Sequence, residues 1–189
     1  YGNPFCSLKH FQRTINFIKE RENCFCFLNG DLIEAVTKNS KGDVYTQTVT
    51  PQEQRDAVID LLIPIKDKVL GCCTGNHEAR IYNDTGVDLT KDIAEALRVP
   101  YRPEGMLFKV YFGRGNQRHP GQRNMFSSYI THGYGGARTK ASKAIKVERT
   151  ASWISGDWYA MSHDHVVNVS PNVYLEIDHR CHEEDNGFV

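Results

Sequence analysis

Four short segments of this 189-residue chain concentrate groups that bind divalent cations: Gly30-Asp31-Leu32-Ile33-Glu34, Gly75-Asn76-His77-Glu78, Thr131-His132-Gly133 and Ser162-His163-Asp164-His165. Carboxylate, amide oxygen and imidazole together suit Mn, Fe, Zn or Mg rather than a soft metal. Taken singly, each segment has an ordinary explanation. An Asp after Asn-Gly is commonly a turn or cap residue, and a His before Gly at a strand end is commonly a buried histidine with satisfied hydrogen bonds. His163 and His165 stand at i and i+2, which in an extended segment points both rings to one side, a spacing for two ligands on one centre. All four in one chain, in this order, point to a metal site. Nucleophilic serine catalysis and cysteine-held zinc have no comparable signal, because neither G-x-S-x-G nor a C-x-x-C pair occurs.

The segments need elements to hold them. Ser7 is placed to cap a helix whose apolar residues Phe11, Ile15, Phe17 and Ile18 recur at helical spacing up to about Arg21. Thr50, Pro51 and Glu53 form a capping-box pattern that opens a helix reaching about Ile65. A helix over 88–97 stops before Pro100, and another is expected over 140–152. Short apolar runs at 24–28 and 68–73 read as buried strands, and 107–112, 127–131, 166–169 and 173–177 as further strands. Residues 113–126, rich in Gly, Arg, Asn and Gln, read as a loop. Helix and strand alternate through the first half, so the expected class is α/β, and three of the four segments directly follow a predicted strand, the edge at which open α/β sheets build their sites.

At 40% hydrophobic and 24% charged residues the composition is that of one globular domain spanning 1–189, which excludes disorder, collagen and coiled coil. The most apolar stretch, 57–65, contains Asp60 and Pro64, so no membrane span, signal segment or membrane partner is expected. Acidic and basic residues balance over the chain. Residues 101–150, however, hold ten basic residues against two acids, which suits either an anionic partner or a solvated basic helix face. Six cysteines without scaffold spacing read as buried free thiols, favouring a cytoplasmic location.

The order G-D-x-x-[DN], G-N-H-[DE], lone H, G-H-x-H resembles the calcineurin-like metallophosphoesterases. Gly75-Asn76-His77-Glu78 matches its block without change, Glu34 replaces the family's Asp or Asn, and Ser162 replaces Gly. The family's first block, D-x-H, is absent, and Tyr1-Gly2-Asn3 resembles the residues that follow it, as though the chain began just after the motif. The resemblance implies a two-layer sheet core flanked by helices, a four-layer α/β/β/α arrangement. It also implies two divalent ions, manganese first with iron, zinc or magnesium as alternatives. Asp31 would bridge them, Asn76, His132 and His163 would hold the second, and His165 would join the missing Asp and His on the first. His77 would act on the leaving oxygen in phosphoester hydrolysis.

For the substrate, the basic third brackets His132. Lys140, Lys143 and Lys146 recur at a spacing of three along one helical stripe, with Arg138 and Arg149 beside them and Tyr134 in the preceding Gly-rich loop. Arg138, Lys140, Lys143 and Tyr134 are the candidate substrate-binding residues. A stripe of this kind can track a nucleic-acid backbone, so a phosphodiesterase or nuclease is expected. The alternatives are a phosphatase of small molecules or phosphoproteins, and a metal-binding or interaction module without catalysis.

Overall fold

The structure, a computed structural model, describes residues 1–40, 44–112, 124–136, 139–171, 175–177 and 183–185. Its first part is built by strong local signals. The Ser7 hydroxyl accepts the His10 N–H at 3.3 Å and opens α1 (Leu8–Glu20), which turns Ile15 and Ile18 inward. Thr50 and Glu53 close their reciprocal box, with Thr50 N to Glu53 Oε2 at 2.8 Å, at the start of α2 (Pro51–Leu62). Pro64 cannot continue that helix, and a 3-10 segment Ile63–Lys68 follows. β1 (Cys26–Asn29) and β2 (Val69–Cys73) then pair in parallel, with Leu28 opposite Cys72 and Asn29 opposite Cys73. α3 (Asn76–Thr85) starts directly after β2, and α4 (Leu89–Leu97) is capped by the Asp88 carboxylate on Lys91 N.

Ile15, Val58, Leu62, Ile93 and Leu97 from the helices meet Leu28, Val69 and Cys72 from the strands in one core. Each fully buried aliphatic side chain contributes about 1.5–3 kcal/mol relative to exposure.

The second sheet orders β3 (Met106–Phe112), β4 (Asn124–Thr131) and β5 (Trp158–Met161). β3 and β4 are antiparallel from Met106–Ile130 to Phe112–Asn124, while β4 and β5 are parallel. That parallel pairing needs a crossover, which α5 (Lys140–Ala151) supplies. The two sheets touch where the Phe27 and Phe108 rings stack with centroids 5.7 Å apart and where Cys73 Sγ reaches the Ile130 carbonyl at 3.8 Å. β6 (Leu175–Ile177) and β7 (Glu183–Asp185) form a small antiparallel pair. The class is α/β with helices and small mixed sheets. Among the described residues no helix is long and apolar enough to cross a membrane.

Several sequence expectations are corrected. No strand forms over 166–169: Val167 and Val169 are exposed, and β-branched residues make strands only where a neighbouring strand and a half-buried face receive them. Of the strand expected over 173–177, β6 covers its last three residues, and 173–174 lie outside the described residues, as do 113–123 of the expected loop; 124–126 belong to β4. Among the described residues, three strands and helices were not expected, β5, β7 and α3. β5 is four residues long with no apolar alternation, and α3 buries only Glu78 and Ile81. Cys72 and Cys73 are buried free thiols as expected, whereas Cys24 and Cys26 are only half-buried and Cys181 lies outside the described residues.

Candidate metal centre

All four ligand-rich segments leave strand ends, after β1, β2, β4 and β5, and they converge because β1–β2 and β4–β5 are parallel pairs whose carboxyl ends lie at one edge. Two glycines let the first two loops touch. Gly30 has φ 76°, and a Cβ there would lie 2.5 Å from Gly75 Cα and 2.8 Å from His132 Nδ1. A Cβ on Gly75 would overlap the Asp31 backbone nitrogen.

Glu78, buried to 1% exposure, is the fastening of this contact. Its Oε2 accepts the N–H of Asp31 at 3.0 Å and of Gly75 at 3.1 Å, and its Oε1 accepts Leu32 N at 2.6 Å and Ile33 N at 3.3 Å. Asp31 itself has φ 52°, a left-handed conformation that costs about 1–3 kcal/mol away from glycine and persists only where the surroundings impose it. Burial and the Asp31 charge push the Glu78 carboxyl up, against the backbone donors that favour its anion.

Around this turn four acceptors crowd together. His132 Nε2 lies 3.0 Å from Asn76 Oδ1 and 3.3 Å from Asp31 Oδ2, and His163 Nδ1 lies 2.8 Å from the same Asn76 oxygen. The second nitrogen of each ring faces a backbone carbonyl that can only accept: His132 Nδ1 donates to Asn29 O at 2.7 Å, and His163 Nε2 donates to Gly135 O at 2.8 Å. With that nitrogen donating, an uncharged ring presents its lone pair inward, toward an amide oxygen and a carboxylate that also carry only lone pairs. Such a set repels itself unless a proton or a cation enters. Imidazoles fixed through their outer N–H on carbonyls are the usual support of metal-bound histidine, and donors about 2.0–2.2 Å from an ion lie roughly 3 Å from one another, as these do. The Asp31, His132 and His163 ligand atoms all fall within 4.8 Å of each other, and this cluster could hold a metal ion.

No family model, curated protein or solved structure matches this chain.

The electrostatics agree with the geometry. Burial opposes ionisation of Asp31, but His132 and the His77 N–H, which donates to Asp31 Oδ1 at 3.0 Å, outweigh it and hold the carboxyl below its ordinary value. Burial opposes a charged His132 as well, yet Asp31 and the Asn29 carbonyl raise it. A proton and a metal would compete for the same point. Burial pushes the Cys73 thiol up to about 11 and Cys72 higher still, which keeps both as uncharged packing groups.

The remaining expected site residues are placed as follows. His77 lies beside the cluster, with Nδ1 3.0 Å from the Glu34 carbonyl and Nε2 3.8 Å from Asp31 Oδ2. His165 is exposed and does not join Asp31, His132 and His163. The extended geometry expected for 163–165 does not occur: His163 has φ 64° and His165 φ 49°, so alternation no longer sends both rings the same way. Tyr134 is exposed, and the Lys146 ammonium sits 5.8 Å from its ring centre. Lys143 donates to Asp164 O at 2.7 Å, and Lys146 to Tyr134 O, Gly135 O and Asp164 Oδ2. Arg138 and the Lys140 side chain lie outside the described residues.

Sequence reasoning missed three supports. Glu78 at the third position of α3 was read as part of a motif and not as the clasp of the Asp31 turn. Asn29, a polar residue ending an apolar strand, ties the β4 and β5 loops through Nδ2 to Thr131 O at 2.9 Å and Ser162 Oγ at 2.8 Å. Gln54, fully buried, accepts Glu34 N at 2.9 Å and Ala35 N at 3.1 Å and so shapes the loop facing His77. A polar residue closing an apolar run was the available signal for Asn29, whereas Gln54, flanked by Gln52, Glu53, Arg55 and Asp56, carried none.

Proposed function

We propose that this chain is a metal-dependent phosphoester hydrolase of the calcineurin-like metallophosphoesterase type. The observation that carries the reading is the convergence of Asp31, Asn76, His132 and His163 with both imidazole N–H groups turned away from the common point. Those four residues would hold one divalent ion, manganese by preference, and Asp31 and His165 would contribute to a second. The β1–β2 and β3–β4–β5 sheets would be the two inner layers of the four-layer fold, and the free thiols suit a cytoplasmic setting. Bound divalent ions would supply Lewis-acid polarisation of phosphoryl oxygens and acidify a water for in-line attack. His77, oriented by the Glu34 carbonyl, keeps Nε2 as the nitrogen open to a substrate oxygen, where it would steady charge or move a proton.

A phosphodiester is the favoured substrate, with nucleic acid as the polymeric candidate. The engagement of Lys143 and Lys146 with loop carbonyls favours, as a second reading, a small phosphoester that needs no basic stripe. Manganese titration followed by calorimetry, with hydrolysis of an aryl phosphodiester, an aryl phosphomonoester and a single-stranded oligonucleotide, tests the assignment. Stoichiometric binding with turnover of a diester is expected. Binding without turnover of any substrate would reduce the chain to a metal-binding module, and absence of binding would end the reading.

A further inference from the structure

The sequence reads α5 as a basic stripe facing solvent or a polyanion, whereas in the fold Lys143 and Lys146 turn their ammonium groups to acceptors on the neighbouring loops. The Lys146 side chain is only 11% exposed and Asp164 opposite it 13%. The three protons of the Lys146 ammonium meet three acceptors: Tyr134 O at 2.6 Å, Gly135 O at 3.2 Å and Asp164 Oδ2 at 2.8 Å. The first two belong to the loop that follows His132, the third to the residue after His163. Gly135 O is shared, because it also accepts the His163 Nε2–H at 2.8 Å. Lys143 adds a bond to the Asp164 carbonyl at 2.7 Å, on a residue whose own N–H bends back to Ser162 O at 2.7 Å.

We propose that Lys146 is a positioning residue of the candidate metal centre: by clamping the Tyr134-Gly135 loop to Asp164 it sets the His163 ring with Nδ1 toward Asn76 Oδ1. The proposal rests on the metal reading above. His163 needs such a clamp, because its left-handed backbone is a conformation that a non-glycine residue holds only under constraint from its surroundings. Without Lys146 the Gly135 carbonyl is free to move, the His163 Nε2–H loses its fixed acceptor, and the ring can turn its lone pair away from the common point.

The sign of the effect separates positioning from bare charge. Lys146 is a cation near a cation site, and its removal would also leave the Asp164 carboxylate unpaired, so Coulomb's law alone requires tighter binding of a divalent ion after Lys146→Met. Positioning requires weaker binding. The experiment measures Mn²⁺ affinity by electron paramagnetic resonance, and the visible spectrum of the Co²⁺-loaded protein, for the whole chain and for Lys146→Met, Lys146→Gln and Lys146→Arg, with folding checked by circular dichroism. Lys146→Met and Lys146→Gln are expected to lose about 10–100-fold in Mn²⁺ affinity, the usual effect of removing an outer support, and to change the Co²⁺ bands. Lys146→Arg, which can still bridge Asp164 and a carbonyl, should recover part of both. Unchanged or tighter binding in either uncharged variant, provided that variant folds, overturns the positioning role while leaving the metal centre standing. Failure of the unaltered protein to bind Mn²⁺ overturns the centre itself.

Discussion

Glu78 accepts the backbone N–H of Asp31 at 3.0 Å, so one carboxylate, buried under the site, holds in place the turn that presents another. In Glu78→Gln an Nε2 in place of Oε2 would face the N–H groups of Asp31 and Gly75 and leave both donors unpaired. At about 1–3 kcal/mol for each buried donor left unsatisfied, a loss of about 3 kcal/mol in urea unfolding is expected, with weaker Mn²⁺ binding as the Asp31 turn loosens. A loss under about 1 kcal/mol would show that the two glycines hold the turn without Glu78.

Asp31→Asn and His77→Asn should separate metal holding from chemistry. Asp31 stands 3.3 Å from His132 Nε2 inside the cluster, whereas the His77 ring stays outside it, nearer the Glu34 carbonyl. Mn²⁺ affinity should therefore fall by more than about 100-fold in Asp31→Asn, beyond the roughly 10–100-fold effect of losing an outer support, and turnover should fall with it. His77→Asn should keep its metal and lose rate. Metal loss of the same size from the His77 variant, read by metal analysis after dialysis, would refute that division of roles.

Gly75→Ala tests the contact of the first two loops. Its methyl group would overlap the Asp31 backbone nitrogen, which cannot move without breaking the Glu78 bonds. The expected cost is about 1–3 kcal/mol, the usual range for a forced overlap in a packed site. Gly86→Ala serves as the comparison: its Cβ meets nothing within 4 Å, so strain from its left-handed φ of 75° is the whole of its effect, and metal affinity should be untouched.

The β4–β5 junction carries a pH signature. The Asp157 carboxylate accepts the Ser127 hydroxyl at 2.7 Å and the Ser127 N–H at 2.6 Å, and these bonds hold it below the ordinary carboxylate value. A carboxyl depressed in the folded state stabilises it fully above the unfolded value, about pH 4, and that stability is lost as pH falls through the lower folded value. Asp157→Asn should thus be less stable than the unaltered chain at pH 7, and the gap between their urea midpoints should close below about pH 4. A gap that persists unchanged at pH 2.5 would assign the effect to side-chain shape and not to charge.

Much of the scaffold and most of the candidate ligands were legible in the chain. Ser7, Thr50 with Glu53, and Asp88 start helices because each satisfies an orphan N–H within three residues of itself, and information that local survives in a single sequence. Asp31, Asn76 and His132 stand out because apolar strands end abruptly in polar ligand types, and His163 because it pairs with His165 in a His-Asp-His segment. What the sequence could not disclose is how the loops are held. The bonds from Asn29 to Ser162, from Glu78 to Asp31 and from Lys146 to Asp164 join residues 133, 47 and 18 positions apart, and no local pattern encodes them. His163 and His165 depart from the expected extended backbone, and Asp164 between them is bonded by Lys143 of α5, a contact 21 positions away in the chain. Residue type and spacing determined which groups could bind a cation; only the tertiary structure decided which of them share a point, since that depends on parallel strand pairing and on buried polar groups finding partners far along the chain.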